Sequence, residues 1–372
     1  MTIDGIYLDY AATTPVDGQA FDEALPYYKE VFYNPSSAHA FGNAASVALE
    51  HARIRVAKAV NAEPDEIYFN SGGTEGVNQA LLGSQAFVGG KNRLIVSAIE
   101  HDSVRACADV LRSRGVTVDT VMPNRGGIIT PEALKDCITD NAAMVAVMTV
   151  NNQTGAVQPI KELADIAHEH GALFFTDAVQ AVNTVGIDVK QTGADIVCAS
   201  GHKFYAPKGV GFFYAKRGVK LNAMIVGGGQ ERGLRAGTQN VPAIVALAAA
   251  IEKANNIRAE YNANAHAVRH AFLSNLKLGK PVDVENGTDD IVSVVFDGVN
   301  GGRLAVALSM RGVCCSVGSA CSAGSATPPP TLIAMGVNNA DCAIRFSFGR
   351  DTDIEKVIRA AQIVNDTVES LL

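Results

Sequence analysis

Leu173-Phe174-Phe175-Thr176, running into Asp177-Ala178-Val179-Gln180, and Asp195-Ile196-Val197-Cys198-Ala199, running into Ser200-Gly201-His202-Lys203, are the stretches that decide the fold. Each is a short apolar run that stops abruptly at ionisable and small polar residues. Unbroken apolar runs of this length fit strands buried on both faces, as in a parallel sheet. Outward from this pair, residues 67 to about 215 alternate short β-rich runs with amphipathic helices. Strands are predicted at Ile67-Phe69, Arg93-Ile99, Val116-Met122, Ala143-Val150, Ala172-Thr176, Asp195-Ala199 and Gly211-Tyr214. Helices are predicted at Thr74-Val88, Asp102-Arg114, Pro131-Cys137 and Ile160-His170. Thr130-Pro131-Glu132 is a good helix start, with a hydroxyl cap, proline at the first helical position and an acid in the first turn. Gly115 and Gly171 stand where helix C-terminal caps belong. The pattern is that of an α/β layer fold with a mostly parallel central sheet. Residues from about 260 onward read as a helix followed by elements at Ile291-Phe296, Arg303-Ser309 and Ile344-Ser347, a smaller α+β domain.

In such folds ligands bind at the carboxyl ends of the strands, which is where Asp177 and Lys203 lie. A carboxylate aimed at one end of a cofactor and a lysine at the other is what pyridoxal phosphate chemistry needs. The carboxylate keeps the ring nitrogen protonated and the lysine forms the Schiff base. Taken singly, Lys203 could be a solvated strand-end lysine and Asp177 a helix cap. The Asn70-Ser71-Gly72-Gly73-Thr74-Glu75-Gly76 turn offers small residues and a helix start, a candidate phosphate cradle with Gly73 and Thr74 closest. Ser200 and His202 would add phosphate donors. His101 closes a strand in Glu100-His101-Asp102-Ser103 and could stack on a ring and shuttle a proton, or simply start a helix. Asn151-Asn152-Gln153 could hold a cofactor oxygen or a substrate carboxylate, or be turn residues. Arg345, inside an apolar strand, needs an anionic partner: an amino-acid carboxylate or an internal Asp or Glu. Cys321, in Gly318-Ser319-Ala320-Cys321-Ser322-Ala323-Gly324-Ser325, is predicted to be an accessible, reactive thiol on a mobile loop from about Ser316 to Thr327.

Composition narrows the function classes. The chain has 372 residues, long for one core, with 48% hydrophobic and 19% charged residues and a formal net charge of −7. With no basic run, binding to nucleic acid or to a membrane surface is not expected. The longest apolar stretch, Val241 to Ile251, is too short to span a bilayer. No signal peptide is visible at Met1-Thr2-Ile3-Asp4-Gly5. Seven cysteines without any Cys-x-x-Cys argue against a disulfide framework or a resident metal site, and the cytoplasm is the default location.

The ordered set of motifs resembles the cysteine desulfurases of the nitrogen-fixation and iron–sulphur-assembly type (group I), within the class V aminotransferase-like enzymes. It runs almost end to end, from Tyr7-Leu8-Asp9-Tyr10-Ala11-Ala12-Thr13-Thr14-Pro15 and Asn34-Pro35-Ser36-Ser37 through Ser200-Gly201-His202-Lys203 to Gly229-Gln230-Glu231-Arg232-Gly233-Leu234-Arg235-Ala236-Gly237-Thr238 and Arg345-Phe346-Ser347-Phe348-Gly349-Arg350. The resemblance implies the fold type I architecture, with a large cofactor-binding domain over 14–258 and a small domain from 1–13 plus 259–372. It implies a homodimer with pyridoxal phosphate on Lys203, Asp177 on the ring nitrogen, Gln180 on the ring oxygen and His101 stacked on the ring. Gly73, Thr74, Ser200 and His202 would hold the phosphate, with Thr238 reaching in from the second copy. Asn152 and Arg345, with Asn34 a further candidate, would orient the carboxylate of L-cysteine. Cys321 would accept the sulphur and pass it to an acceptor protein, and is also a candidate transient iron–sulphur ligand. A transaminase or kynureninase-like hydrolase would not need Cys321, and a sulphur carrier would not need the cofactor set. Departures from the usual pattern are Gln153 for Glu, removing a charge near the ring, Ala206 for Gly, and Val317 for Ser. Cys314 and Cys315 are extra thiols, with Cys315 the first alternative acceptor, and Pro328-Pro329-Pro330 stiffens the far end of the loop.

Overall fold

The computed structural model describes residues 5–87, 90–318 and 328–372. Its strands are β1 (Ile6–Tyr7), β2 (Ile67–Asn70), β3 (Arg93–Ser97), β4 (Thr117–Val121), β5 (Ala142–Ala146), β6 (Leu173–Asp177), β7 (Ile196–Ser200), β8 (Gly211–Ala215), β9 (Lys280–Pro281), β10 (Ile291–Val295), β11 (Val313–Cys314) and β12 (Ala343–Ser347). A seven-stranded sheet runs in the order β2-β8-β7-β6-β5-β3-β4. β8 is antiparallel to both neighbours and every other pair is parallel. This sheet carries the first core, and its side chains alternate between two buried faces, so Phe174 packs on one face and Phe175 on the other. Helices Ala40–Ala59 and Val241–Asn256 cover the first face, and Gly73–Leu81 and Asp102–Ser113 the second. Both faces being covered is why these strands read as continuous apolar runs.

A separate core gathers Leu8, Phe272, Val292, Ile344, Phe346 and Val357. It is built on the antiparallel sheet β12-β10-β9, with β1 paired to β11 beside it. Asp17 joins the two cores: it accepts from Lys253 Nζ at 2.6 Å and pairs with Arg350 Nη2 at 2.7 Å. Arg350 also lies 4.1 Å from the Tyr205 ring centroid, and its backbone N–H donates to the Tyr205 hydroxyl at 2.8 Å. Those contacts hold Tyr205 at a φ of 66°, a left-handed conformation that costs a tyrosine energy.

Some expected elements differ, the strand expected over Ala143-Val150 among them, which ends at Ala146. The helix predicted over Thr74-Val88 ends at Leu81, and Val88 lies outside the described residues. Just beyond the helix, Ser84 pairs with Leu221, so the chain leaves the helical path to meet another segment. Arg303-Ser309 lies within the helix Gly301–Met310, whose Leu304 and Leu308, four residues apart, face the second core. The helix start at Thr130 forms as predicted, the hydroxyl accepting from Ala133 N.

A buried ion pair fixes the Glu231 turn against the sheet. Arg53 donates to both Glu231 oxygens at 2.8 and 2.9 Å and to Ile67 O at 2.9 Å, while Phe69 N–H donates to Glu231. Arg53 and Glu231 are 2% and 3% exposed, so removing one strands the other's charge in the interior. Arg53→Ala is therefore expected to cost about 3–5 kcal/mol of stability. Urea titration of variant and wild type checks this.

Candidate active site

The carboxyl ends of β6 and β7 open into a cavity of about 170 Å³. Asp177, the last residue of β6, lies on its wall with 4% exposure. Its Oδ1 accepts from Val179 N–H at 2.9 Å. Burial pushes the carboxyl's pKa up, offset in part by that N–H and by the charges of His101 and Lys203. A buried carboxylate in this position favours a cationic nitrogen beside it. Lys203, in the short helical turn after β7, donates from Nζ to Ala11 O at 2.6 Å and Ala12 O at 2.8 Å. Gln180 donates to the same Ala11 O at 2.8 Å.

One side of the cavity is made by Gly73, Thr74, Ser200 and His202. Gly72 has a φ of 145°, and a Cβ on Gly73 would come within 2.7 Å of Val179 Cγ2. Glycine thus lets the helix N-terminus sit close against the β6 and β7 ends, with its first N–H groups available to an anion. Glu75 in that first turn is occupied, by Arg235 Nε at 2.9 Å and Ser71 N–H at 2.9 Å. His202 is depressed to about 4 by burial and by the nearby Lys203 and Lys208 charges. It is a neutral imidazole near neutrality, suited to donate without adding charge. A buried carboxylate, a lysine and a tight glycine cradle in one cavity fit pyridoxal phosphate.

His101 caps the helix Asp102–Ser113 and lines the cavity as well. Its Nδ1 accepts from Ser103 N–H at 3.1 Å and lies 2.8 Å from Ser103 Oγ. The Asn pair divides its roles. Asn151 is fully buried, donating to Ile99 O and accepting from Gln153 and Thr154 N–H groups, while Asn152 lines the cavity. Arg345 also lines the cavity and has an internal partner, Asp9. Asn34 and Thr238 are exposed and do not line the cavity of this chain; Asn34 Oδ1 accepts from Ser36 N–H in a local turn. Cys321 lies outside the described residues.

Gln153 corrects one expectation. Its side chain is directed to β10, where Nε2 donates to Ser293 Oγ at 3.0 Å, so the Gln-for-Glu change removes no charge from the cavity wall. Cys315 is half-buried, and burial pushes its thiol far up, with the Asp9 charge adding to the effect. Two contributors escaped the sequence reading as site residues. The segment Asp9 to Thr14 supplies carbonyls to Lys203 and Gln180, Asp9 to Arg345, and Thr13 Oγ1 3.2 Å from His202 Nδ1. The motif was visible there, but its backbone chemistry was not. Glu100 is the other, buried next to His101 with one oxygen unpartnered among the described residues.

The family model for aminotransferase class-V matches residues 6–359, and the chain belongs to that family. Among relatives, it is similar to the cysteine desulfurase IscS of Clostridium botulinum, 39% identical across 95% of this chain and 92% of that one. Among solved structures it matches a NifS-like protein with a TM-score of 0.93 and 32% identity, covering 99% of this chain and 100% of the other. It also matches SspA in complex with cysteine, with a TM-score of 0.81 and 32% identity over 92% of this chain and 99% of the other.

Glu100 gives the site a pH signature. Burial lifts its pKa from 4.5 to about 8, with the Asp177 charge adding and hydrogen bonds from Ser97 and Met148 opposing. Between those values the folded chain holds a proton that the unfolded chain releases, so stability falls as pH rises through the window. Glu100→Gln keeps the shape without the titration. It should flatten that fall by on the order of 2–4 kcal/mol, read from urea unfolding at about pH 5 and pH 8.

Proposed function

We propose that the protein is a pyridoxal phosphate-dependent cysteine desulfurase, converting L-cysteine to L-alanine while the sulphur passes to Cys321 as a persulfide. The observation that carries this reading is the meeting of Asp177, Lys203 and Arg345 on one cavity in a chain of this family. The names of its relatives support the substrate.

When bound, the cofactor supplies an electron sink that makes the substrate's α-proton removable. Asp177 would keep the cofactor's ring nitrogen protonated, and Gln180 and His101, which line the same cavity, would help hold the ring. Gly73, Thr74, Ser200 and His202 would hold its phosphate, with Thr238 contributed by a second copy. Asn152 and Arg345, with Asn34 as a further candidate, orient the substrate carboxylate. Lys203 Nζ takes the α-proton. The Cys321 thiolate then attacks the substrate sulphur: an S–S bond forms and the Cβ–S bond breaks. The bonding pair goes to carbon, which is protonated to give alanine.

Five of the six described thiols contrast with an accessible acceptor, the half-buried Cys314 being the exception. Burial pushes up Cys107, Cys137, Cys198, Cys315 and Cys342. The described stems of the Cys321 segment also meet, since a Cβ on Gly318 would lie 3.4 Å from Pro329 Cγ. Pro329 and Pro330 border a small cavity beside His101 and Asn152. For the assembly we propose a homodimer; Phe32, Tyr33 and Phe41 form a ring cluster with centroids 4.6 and 4.7 Å apart, and Phe32 and Phe41 are 64% and 61% exposed. Exposed apolar clusters of this kind mark interaction surfaces. The two cores support a division into a large domain over 14–258 and a small one from 1–13 plus 259–372. No helix among the described residues is long and apolar enough to cross a membrane. A cytoplasmic enzyme handing sulphur to an acceptor protein, for iron–sulphur assembly or other sulphur transfer, accords with this.

Cys321→Ser tests the assignment. The variant should still bind cysteine, with the accompanying change in cofactor absorbance, and should lose sulfide release and persulfide formation by about a hundredfold or more, because a hydroxyl is a far poorer nucleophile toward sulphur. Desulfuration at near wild-type rate would place the acceptor elsewhere.

A further inference from the structure

Arg345 reaches the cavity with part of its guanidinium already engaged. It is 1% exposed inside β12. Its Nη1 donates to Asn152 O at 2.8 Å and its Nη2 to Asp9 Oδ1 at 2.8 Å. Its Nε is buried without a partner among the described residues. A guanidinium recognises a carboxylate through a planar fork, so its orientation decides how well it binds. A long arginine side chain does not hold one orientation unaided, and here the Asp9 carboxylate, with the Asn152 carbonyl, holds it.

Asp9 is itself fixed by its backbone. It pairs with Ser347 in a β-bridge, while its carbonyl accepts from Ala12 N–H and the Tyr7 hydroxyl, each at 3.0 Å. Its carboxylate therefore comes from a rigid segment, the same one that receives Lys203 through Ala11 and Ala12. Accepting one Nη2 proton leaves other protons of the fork for a substrate carboxylate.

Building on the desulfurase reading, we propose that Asp9 is a positioning residue for substrate-carboxylate recognition, acting through its ion pair with Arg345. Its effect belongs to binding of the amino acid's carboxylate and not to proton transfer at Lys203 or to the cofactor's own affinity.

The test compares L-cysteine with cysteamine, which has the same amine and thiol without the carboxylate. Each is titrated into the holoenzyme and followed by cofactor absorbance. Wild type should bind cysteine much more tightly than cysteamine. Asp9→Asn should lower that ratio about tenfold or more through weaker cysteine binding, with cysteamine affinity and cofactor content unchanged. Its KM for cysteine should rise while kcat stays within about threefold. Asp9→Glu, which restores the charge, should recover part of the ratio. An unchanged ratio in Asp9→Asn would overturn the proposal, as would tighter cysteine binding, which would make Asp9 a competitor for Arg345. If Asp9→Asn does not fold, Asp9→Glu decides: a ratio lowered about threefold supports the role and an unchanged ratio overturns it. Failure of wild type to prefer cysteine would instead strike the desulfurase reading.

Discussion

Asp177 is a carboxylate at the end of a strand buried on both faces, 4% exposed, in a cavity that also holds Lys203. Removing a charge from water is costly unless it is matched, and burial raises this carboxyl's pKa despite the nearby Val179 N–H, His101 and Lys203. A cofactor nitrogen that shares its proton with Asp177 would supply the missing match. The parallel sheet makes this possible, because β6 and β7 are neighbours and point the same way. Their carboxyl ends therefore deliver Asp177, Ser200 and, one turn on, Lys203 to one place.

The N-terminal segment completes that place from outside the large sheet. Carbonyls of Ala11 and Ala12 receive the Lys203 ammonium, Thr13 meets His202, and Asp9 holds Arg345. The same segment enters the second core through Leu8 and receives Ser347 N–H on its Leu8 carbonyl. Arg345 is carried by β12 of that core, so the segment couples the arginine's position to the lysine's. The Asp17, Lys253 and Arg350 contacts add a second tie between the cores, which keeps the two sides of the cavity in register.

Much of this was legible in the sequence, for identifiable reasons. The strands were readable because burial on both faces demands continuous apolar runs, and Asp177 and Lys203 stood out because charged groups end those runs. Arg345 stands out because an arginine in an apolar strand must have a partner. That partner was not legible, since Asp9 is 336 residues away and only the tertiary fold brings it close. Backbone acceptors such as Ala11 O have no sequence signature, because every residue carries one. Gln153 looked like a cavity residue by its neighbours, yet its side chain is turned to Ser293, a choice set by packing between β10 and the turn. The early end of the helix at Leu81 likewise follows from the Ser84 pairing with Leu221, a long-range contact.

Borohydride reduction of the holoenzyme, followed by peptide mapping, tests the central claim most directly. The account predicts a single stable pyridoxyl adduct on Lys203, lost in Lys203→Ala together with turnover. A reduced adduct on Lys208 or Lys216, or none on any lysine of the cofactor-loaded protein, would contradict it.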